Sequence, residues 1–203
     1  MDGRHDVRLE EQASVFVADR DGQATGGTHG LYERRTRVLA RYAWRFLPSG
    51  AGVFRTVLAK SPRPGIFEAR YAVGDEASPA VVVCRRMTAQ ALGFHDELEI
   101  SNMSPERSSL SLELEVATDA PSHDLMRVQD RTLALERTDP DGVDRRVVLA
   151  FDALGAARPD GADWELSLAP GERVHLHVHV RVIKPPAATS PAPPPPPAPR
   201  RGA

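Results

Sequence analysis

Cysteine, lysine, aromatic residues and long apolar runs are all scarce in this chain, and each scarcity excludes something. One cysteine, Cys84, among 203 residues cannot close an internal disulfide, so no covalent staple holds the fold. Its place in Val81-Val82-Val83-Cys84 predicts a core thiol and not a reactive one. No run approaches the roughly 18 apolar residues that a spanning helix needs. The charged N-terminus, Met1 to Glu11, has no apolar signal region, so the cytoplasm is the expected location. Only Lys60 and Lys184 are lysines among 26 basic residues, a bias that reads as high-GC coding. Aromatics make up 5% of the chain, which leaves few rings for stacking on a sugar.

What is present is ordinary globular material. Apolar residues are 41% and charged residues 27%, and the length suits one domain with tails. The net charge is −2; without the basic C-terminal tail the body stands at −5. A mildly acidic body lacks the basic face that nucleic-acid binding requires. Residues 1–12 read as a flexible leader, residues 13–183 as the folded body and residues 184–203 as a disordered tail. That tail holds nine of the 18 prolines, which fix φ and donate no hydrogen bond, so it is expected to be extended polyproline II. Its Pro196-x-x-Pro199-x-Arg201 pattern suits peptide-reading grooves lined with aromatics.

Within the body the dominant period is two. Leu110 to Val116, Trp164 to Leu168 and Val174 to Val182 alternate apolar with polar residues, the pattern of strands with one wet face. Tyr42, Trp44 and Phe46 alternate likewise, and Trp44 and Phe46 read as core. Asp21-Gly22, Pro64-Gly65 and Pro170-Gly171 supply turns between such segments. Many short strands at this spacing predict an all-β chain, a single large antiparallel β-sandwich. Thr36 to Phe46 is ambiguous, because Val38, Leu39, Tyr42 and Phe46 also trace a helical stripe. The reading adopted is a turn at Thr36–Leu39 followed by a strand.

The motifs that suggest chemistry are incomplete. His175, His177 and His179 share one face of a strand, successive ones about 6.5–7 Å apart and the outer pair about 13 Å apart, too far to share a metal ion. A zinc site there needs another ligand from a second strand, so no metal is expected. Asp19-x-Asp21-Gly22 opens like a calcium loop but lacks the later ligands. Gly26-Gly27-Thr28-His29-Gly30 lacks the Gly-Lys-Ser/Thr ending of a phosphate loop and reads as a tight turn before a strand. His95-Asp96 and His123-Asp124 have no helices to build a metal hydrolase around them. Glu97 and Glu99 lie on one side of a strand, as a solvated face would. No serine sits in a G-x-S-x-G frame. Neither a cofactor nor a catalytic residue is assigned.

The stretch Ser14 to Gly22 followed by Gly27-Thr28-His29-Gly30-Leu31-Tyr32-Glu33-Arg34-Arg35-Thr36-Arg37-Val38-Leu39-Ala40-Arg41 resembles the N-terminal domain of bacterial and archaeal glycogen debranching enzymes of the amylo-α-1,6-glucosidase type. Arg85-Arg86, His95 to Asn102, Leu110 to Val116 with Asp119, and Asp124-Leu125-Met126 extend the likeness. The sequence departs from the family pattern at Arg35, where relatives have Asp, and at Ala40, where they have Ser. The acidic-aromatic turn also lacks its aromatics, with Ala120 and Met126 standing there. The charge reversal predicts that Arg34, Arg35 and Arg37 cluster without a carboxylate partner.

The resemblance implies a large β-sandwich of the kind that precedes a helical toroid, with glycosidic chemistry and its carboxylate pair in the helical part. The expected function is therefore a non-catalytic accessory domain that positions an α-glucan or docks on a helical glycosidase subunit. The candidate contact residues are His29, Tyr32, Arg34, Thr36 and Arg37. Alternatives are a stand-alone glycan-binding module, a scaffold recruited through its proline-rich tail, and a sugar epimerase or lyase built on His175, His177 and Glu97.

Overall fold

A computed structural model describes residues 6–48, 52–74, 79–119, 125–129, 131–138, 144–152 and 155–183. The expected tail and the His123-Asp124 pair lie outside the described residues. The period-two segments become antiparallel strands, as the alternation predicts, and no helix is present among the described residues.

The described strands form three sheets arranged as a sandwich. The first small sheet holds β1 (Val7–Glu11), β2 (Ser14–Ala18), β3 (Gly30–Glu33) and β4 (Thr36–Leu39) in sequence order. The chain then passes through β5 (Arg41–Pro48), β6 (Arg55–Arg63), β7 (Ile66–Gly74), β8 (Pro79–Gln90), β9 (Gly93–Asn102) and β10 (Ser108–Ala117). It continues with β11 (Leu125–Gln129), β12 (Thr132–Thr138), β13 (Asp144–Phe151), β14 (Ala156–Arg158), β15 (Gly161–Leu168) and β16 (Arg173–Ile183). The second small sheet has the order β14-β15-β10-β5, and the large sheet the order β11-β12-β13-β16-β9-β8-β7-β6. The two small sheets are stitched together by the Ala24–Tyr42 bridge and by the Ala40 amide donating to the Ala117 carbonyl at 2.7 Å. Both pack on the large sheet: Phe16 meets Phe94 at 4.6 Å, Phe46 meets Tyr71 at 5.1 Å and Phe151 meets Trp164 at 5.6 Å between ring centroids. Leu110, Leu112, Leu114 and Val116 on β10, and Leu176, Val178, Val180 and Val182 on β16, are all buried.

Three local expectations are corrected. Val7–Glu11 is not leader but β1, because Val7 and Leu9 alternate with Arg8 and Glu10 and bury against the core. Thr36–Leu39 is not a turn but β4; the chain reverses two residues earlier, at Arg34 and Arg35 (φ 47° and 74°), which leaves Val38 and Leu39 fully buried. Cys84 is exposed. In a strand every second side chain must leave the core, and Val83 and Arg85 occupy the inward places beside it. Partial desolvation still raises the Cys84 thiol above its ordinary pKa, which disfavours the thiolate.

That inward place puts a charge in the core. Arg85 is 1% exposed and Asp96 0%. The Arg85 guanidinium donates from Nε to Asp96 Oδ1 at 3.0 Å and from Nη2 to Oδ2 at 2.9 Å, while Nη1 donates to the Gly22 carbonyl at 2.9 Å. Asp96 Oδ2 also accepts from Tyr42 Oη and Trp44 Nε1, each at 2.9 Å. Burial opposes the Arg85 charge, but the adjacent Asp96 carboxylate outweighs it and the guanidinium pKa rises. Burial, with Asp96 alongside, holds the Tyr42 phenol well above its ordinary range. The Asp19-x-Asp21-Gly22 segment is the turn that closes this centre. Asp19 Oδ1 accepts the amides of Asp21 and Gln23, and Tyr71 Oη donates to the Asp21 carbonyl at 2.6 Å. Gly22 has φ 72°, and a Cβ there would meet the Phe67 ring at 2.4 Å, so no other residue fits.

Removing one partner of such a pair strands a buried charge. Asp96→Leu is expected to lower stability by about 3–5 kcal/mol, and the double change Arg85→Met with Asp96→Leu by much less. Urea unfolding of both variants measures the difference.

Candidate functional site

The predicted contact segment is ordered by one arginine. Gly26 (φ 114°) and Gly27 (φ 62°) turn the chain, and the His29 amide closes the turn on the Gly26 carbonyl at 3.1 Å. From β4, Arg37 reaches back across this turn. Its Nη1 donates to the carbonyls of Gly27 and His29, the latter at 3.2 Å. Its Nε donates to Asp119 Oδ2 at 2.7 Å and its Nη2 to Asp119 Oδ1, a two-pronged ion pair that raises the Arg37 pKa. The expected cluster without a carboxylate is therefore corrected: Asp119, remote in sequence, supplies one to Arg37. Arg34 Nε lies 3.6 Å from Glu33 Oε1, and Arg35 is exposed.

Tyr32 stands on the outer face of the small sheet, paired in register with Val15 on β2 and Arg37 on β4. Its hydroxyl donates to the Thr28 carbonyl at 2.6 Å, which fixes the ring. Beside it runs an open groove of about 410 Å3 lined by Arg8, Val15, Val17, Thr28, Tyr32 and Arg35. Of the five predicted residues, Tyr32 lines this groove and Arg37 braces its rim. His29 sits within 3.4 Å of Asp6 Oδ1, Thr36 pairs with Glu33 in the hairpin, and neither they nor Arg34 line the groove. Arg8, Val15, Val17, Thr28 and Arg35 were not legible as site residues. Val15-Phe16-Val17 is apolar throughout, so only the pairing of β2 shows that Phe16 points inward and the valines outward.

Two consecutive arginines in the left-handed region are strained, because a Cβ there crowds the following carbonyl. Replacing Arg34-Arg35 with Asn-Gly, which suits a two-residue hairpin turn, is expected to raise stability by about 1 kcal/mol. A rise in the thermal midpoint checks it.

The outer face of the large sheet carries the histidines. The second-strand neighbour missing from the sequence reading is His95 on β9, opposite His179 in register. Its Nε2 lies 3.2 Å from His177 Nδ1, with ring planes 4° apart and centroids at 5.3 Å. Rings so placed lie nearly edge to edge, so the two nitrogens face each other and share a hydrogen bond. They do not converge on a third point, and among the described residues no group of three His, Cys, Asp or Glu side chains is arranged to hold a metal. His179 stacks on His95 at 4.4 Å. His175 stands apart, 3.9 Å from Glu97 and 3.8 Å from Glu99. Burial, then the neighbouring His179 and His177, lowers the His95 pKa below 6.5. The unfolded chain thus binds that proton more readily, and stability present above pH 6.5 is lost as pH falls through the lowered folded value. His95→Asn is expected to flatten this acid-side loss in thermal midpoints measured between pH 7.5 and 5, taken as about one unit above and somewhat more below the ordinary histidine value.

The fold has a counterpart among solved structures. The solved structure of a putative kojibiose phosphorylase from human microbiome matches with a TM-score of 0.55 at 12% identity, covering 87% of this chain and 29% of that one. A 4-alpha-glucanotransferase from Thermococcus litoralis matches with a TM-score of 0.47 at 11% identity, covering 90% of this chain and 40% of that one. This chain thus spans less than half the length of either. No curated protein matches it. The family model for the N-terminal domain of some glycogen debranching enzymes matches residues 9–179, from β1 into β16. With that match over most of its length and the all-strand sandwich to accommodate it, the chain belongs to the family of N-terminal domains of glycogen debranching enzymes.

Proposed function

We propose that this chain is a non-catalytic accessory domain that seats an α-glucan in the Tyr32 groove and presents it to a helical glycosidase partner. The observation that carries the reading is the chemistry of that groove in a domain of this family. A fixed aromatic ring lines the groove together with two valines and two arginines. A sugar presents an apolar face for such a ring and hydroxyls for planar donors. Among the described residues the lining holds no carboxylate, whereas glycoside hydrolysis requires a pair flanking the scissile bond. Binding without cleavage is what this set of side chains supports. The Arg37–Asp119 pair keeps the groove's loop in place, so little ordering entropy is lost when a ligand enters.

Titration of the full chain with maltotetraose, followed by amide NMR, is expected to shift the resonances of Val15, Val17 and Tyr32. Tyr32→Ala is expected to weaken that binding about tenfold, the loss of a stacking contact. Silence of these resonances at millimolar sugar overturns the reading.

A further inference from the structure

The large sheet has a second open surface, on the side away from the small sheets. Two cross-strand rows run over it from β6 to β16. One is Lys60, Glu68, Arg86, Glu97 and His177; the other is Leu58, Arg70, Cys84, Glu99 and His175. Four strand spacings make each row about 19 Å long. Over β6 to β9 the rows floor a depression of about 350 Å3.

Its charges balance. Arg85 also borders it, but its guanidinium turns inward onto Asp96; of the remaining charges Lys60, Arg70 and Arg86 face Glu68, Glu97 and Glu99, three against three, so the site favours neither an anion nor a cation. The charges are also incompletely satisfied by one another. Lys60 Nζ lies 3.4 Å from Glu68, and Glu99 is approached by Arg173 at 3.8 Å and His175 at 3.8 Å. Among the described residues, however, neither Arg70 nor Arg86 comes within 4.0 Å of a carboxylate or makes a side-chain hydrogen bond. Two planar donor forks and three carboxylate acceptors therefore look onto one depression. Leu58, 48% exposed, adds an apolar surface at its margin.

A ligand that matches planar donors, planar acceptors, no net charge and a small apolar contact is a neutral polyhydroxylated one. We infer that the outer face of the large sheet, centred on Arg86 and Glu97, is a second saccharide-binding site that takes a short neutral oligosaccharide, distinct from the Tyr32 groove. This rests on the reading that the chain handles α-glucan. The two sites lie on opposite outer faces of the sandwich, so one glucan chain at each makes the domain a bridge between chains, with the apparent affinity for a branched polymer exceeding that for either site alone.

The test is amide NMR titration of the full chain and of the Arg86→Ala, Glu97→Gln and Tyr32→Ala variants, with maltotetraose and, separately, glucose 1-phosphate. Maltotetraose is expected to shift resonances of β8 and β9 around Arg86 and Glu97. Arg86→Ala and Glu97→Gln are each expected to weaken that set of shifts about tenfold, as losing hydrogen bonds to a charged group does. Tyr32→Ala is expected to leave them unchanged. Both outer-face side chains are solvent-accessible, and far-UV circular dichroism verifies that each variant folds. Absence of β8 and β9 shifts, shifts that neither variant weakens, or stronger binding of the anionic sugar overturns the inference. Loss of the Val15 and Tyr32 shifts with the β8 and β9 shifts intact instead overturns the groove reading alone.

Discussion

A guanidinium and a carboxylate withdrawn wholly from water have to satisfy each other's hydrogen bonds, and in this domain the rest of the structure is arranged so that they do. Arg85 on β8 and Asp96 on β9 supply the pair, both in the large sheet. Tyr42 and Trp44 from the second small sheet and its approach supply two more donors, and the Gly22 carbonyl takes the remaining guanidinium edge. An apolar core is indifferent to small slips of one layer over another, whereas this centre is not. A shift that separates any partner leaves a charge or a donor buried without an acceptor, at several kcal/mol. The pair thus specifies how the layers meet, even though its net contribution to stability is modest.

From that centre the arrangement extends outward. The 19–23 turn, held by Asp19, lies over Arg85, and Gln23 Oε1 accepts the Trp44 amide at 2.8 Å. The neighbouring glycine turn delivers the chain into β3, and Arg37 locks that turn to Asp119 beyond β10. At the other end of the sandwich Asn102 plays a similar part. Its amide donates to the carbonyls of Glu106, Leu168 and Ala169, and its oxygen accepts from Ser104 and Ser108, which fixes the crossing from the large sheet to the second small one. Hydrogen-bonded polar side chains hold these connections; the alternating strands fill the space between them.

The outer faces follow from the same registers. Once Phe16, Arg85 and Phe94 point inward, Val15, Val17, Arg86 and His95 must point outward, because the side-chain period of a strand is two. Tyr32 is therefore beside Arg8 and Arg35, and His95 is beside His177, without any sequence proximity. Arg35 takes the left-handed backbone of the hairpin turn, which Asp or Asn tolerates better, and its side chain borders the groove.

Alternation along β10 and β16, turn dipeptides between strands and the absence of a sustained helical stripe determined the all-β class, because a strand's hydrophobic period is written in consecutive residues. The family pattern from Ser14 to Arg41 was equally local and therefore equally legible. Runs such as Val81 to Cys84 and Val15 to Val17 are apolar on both parities, so their facing, and with it the exposure of Cys84 and the floor of the groove, was decided only by which strands paired. The Thr36–Leu39 strand, the Arg37–Asp119 clasp, the Arg85–Asp96 centre and the His95–His177 pair were likewise tertiary decisions. Three of them join residues 11 to 82 positions apart, and no local period or spacing carries such a pairing; strand pairing within the large sheet brings Arg85 to Asp96 and His95 to His177, and the meeting of the two small sheets brings Arg37 to Asp119.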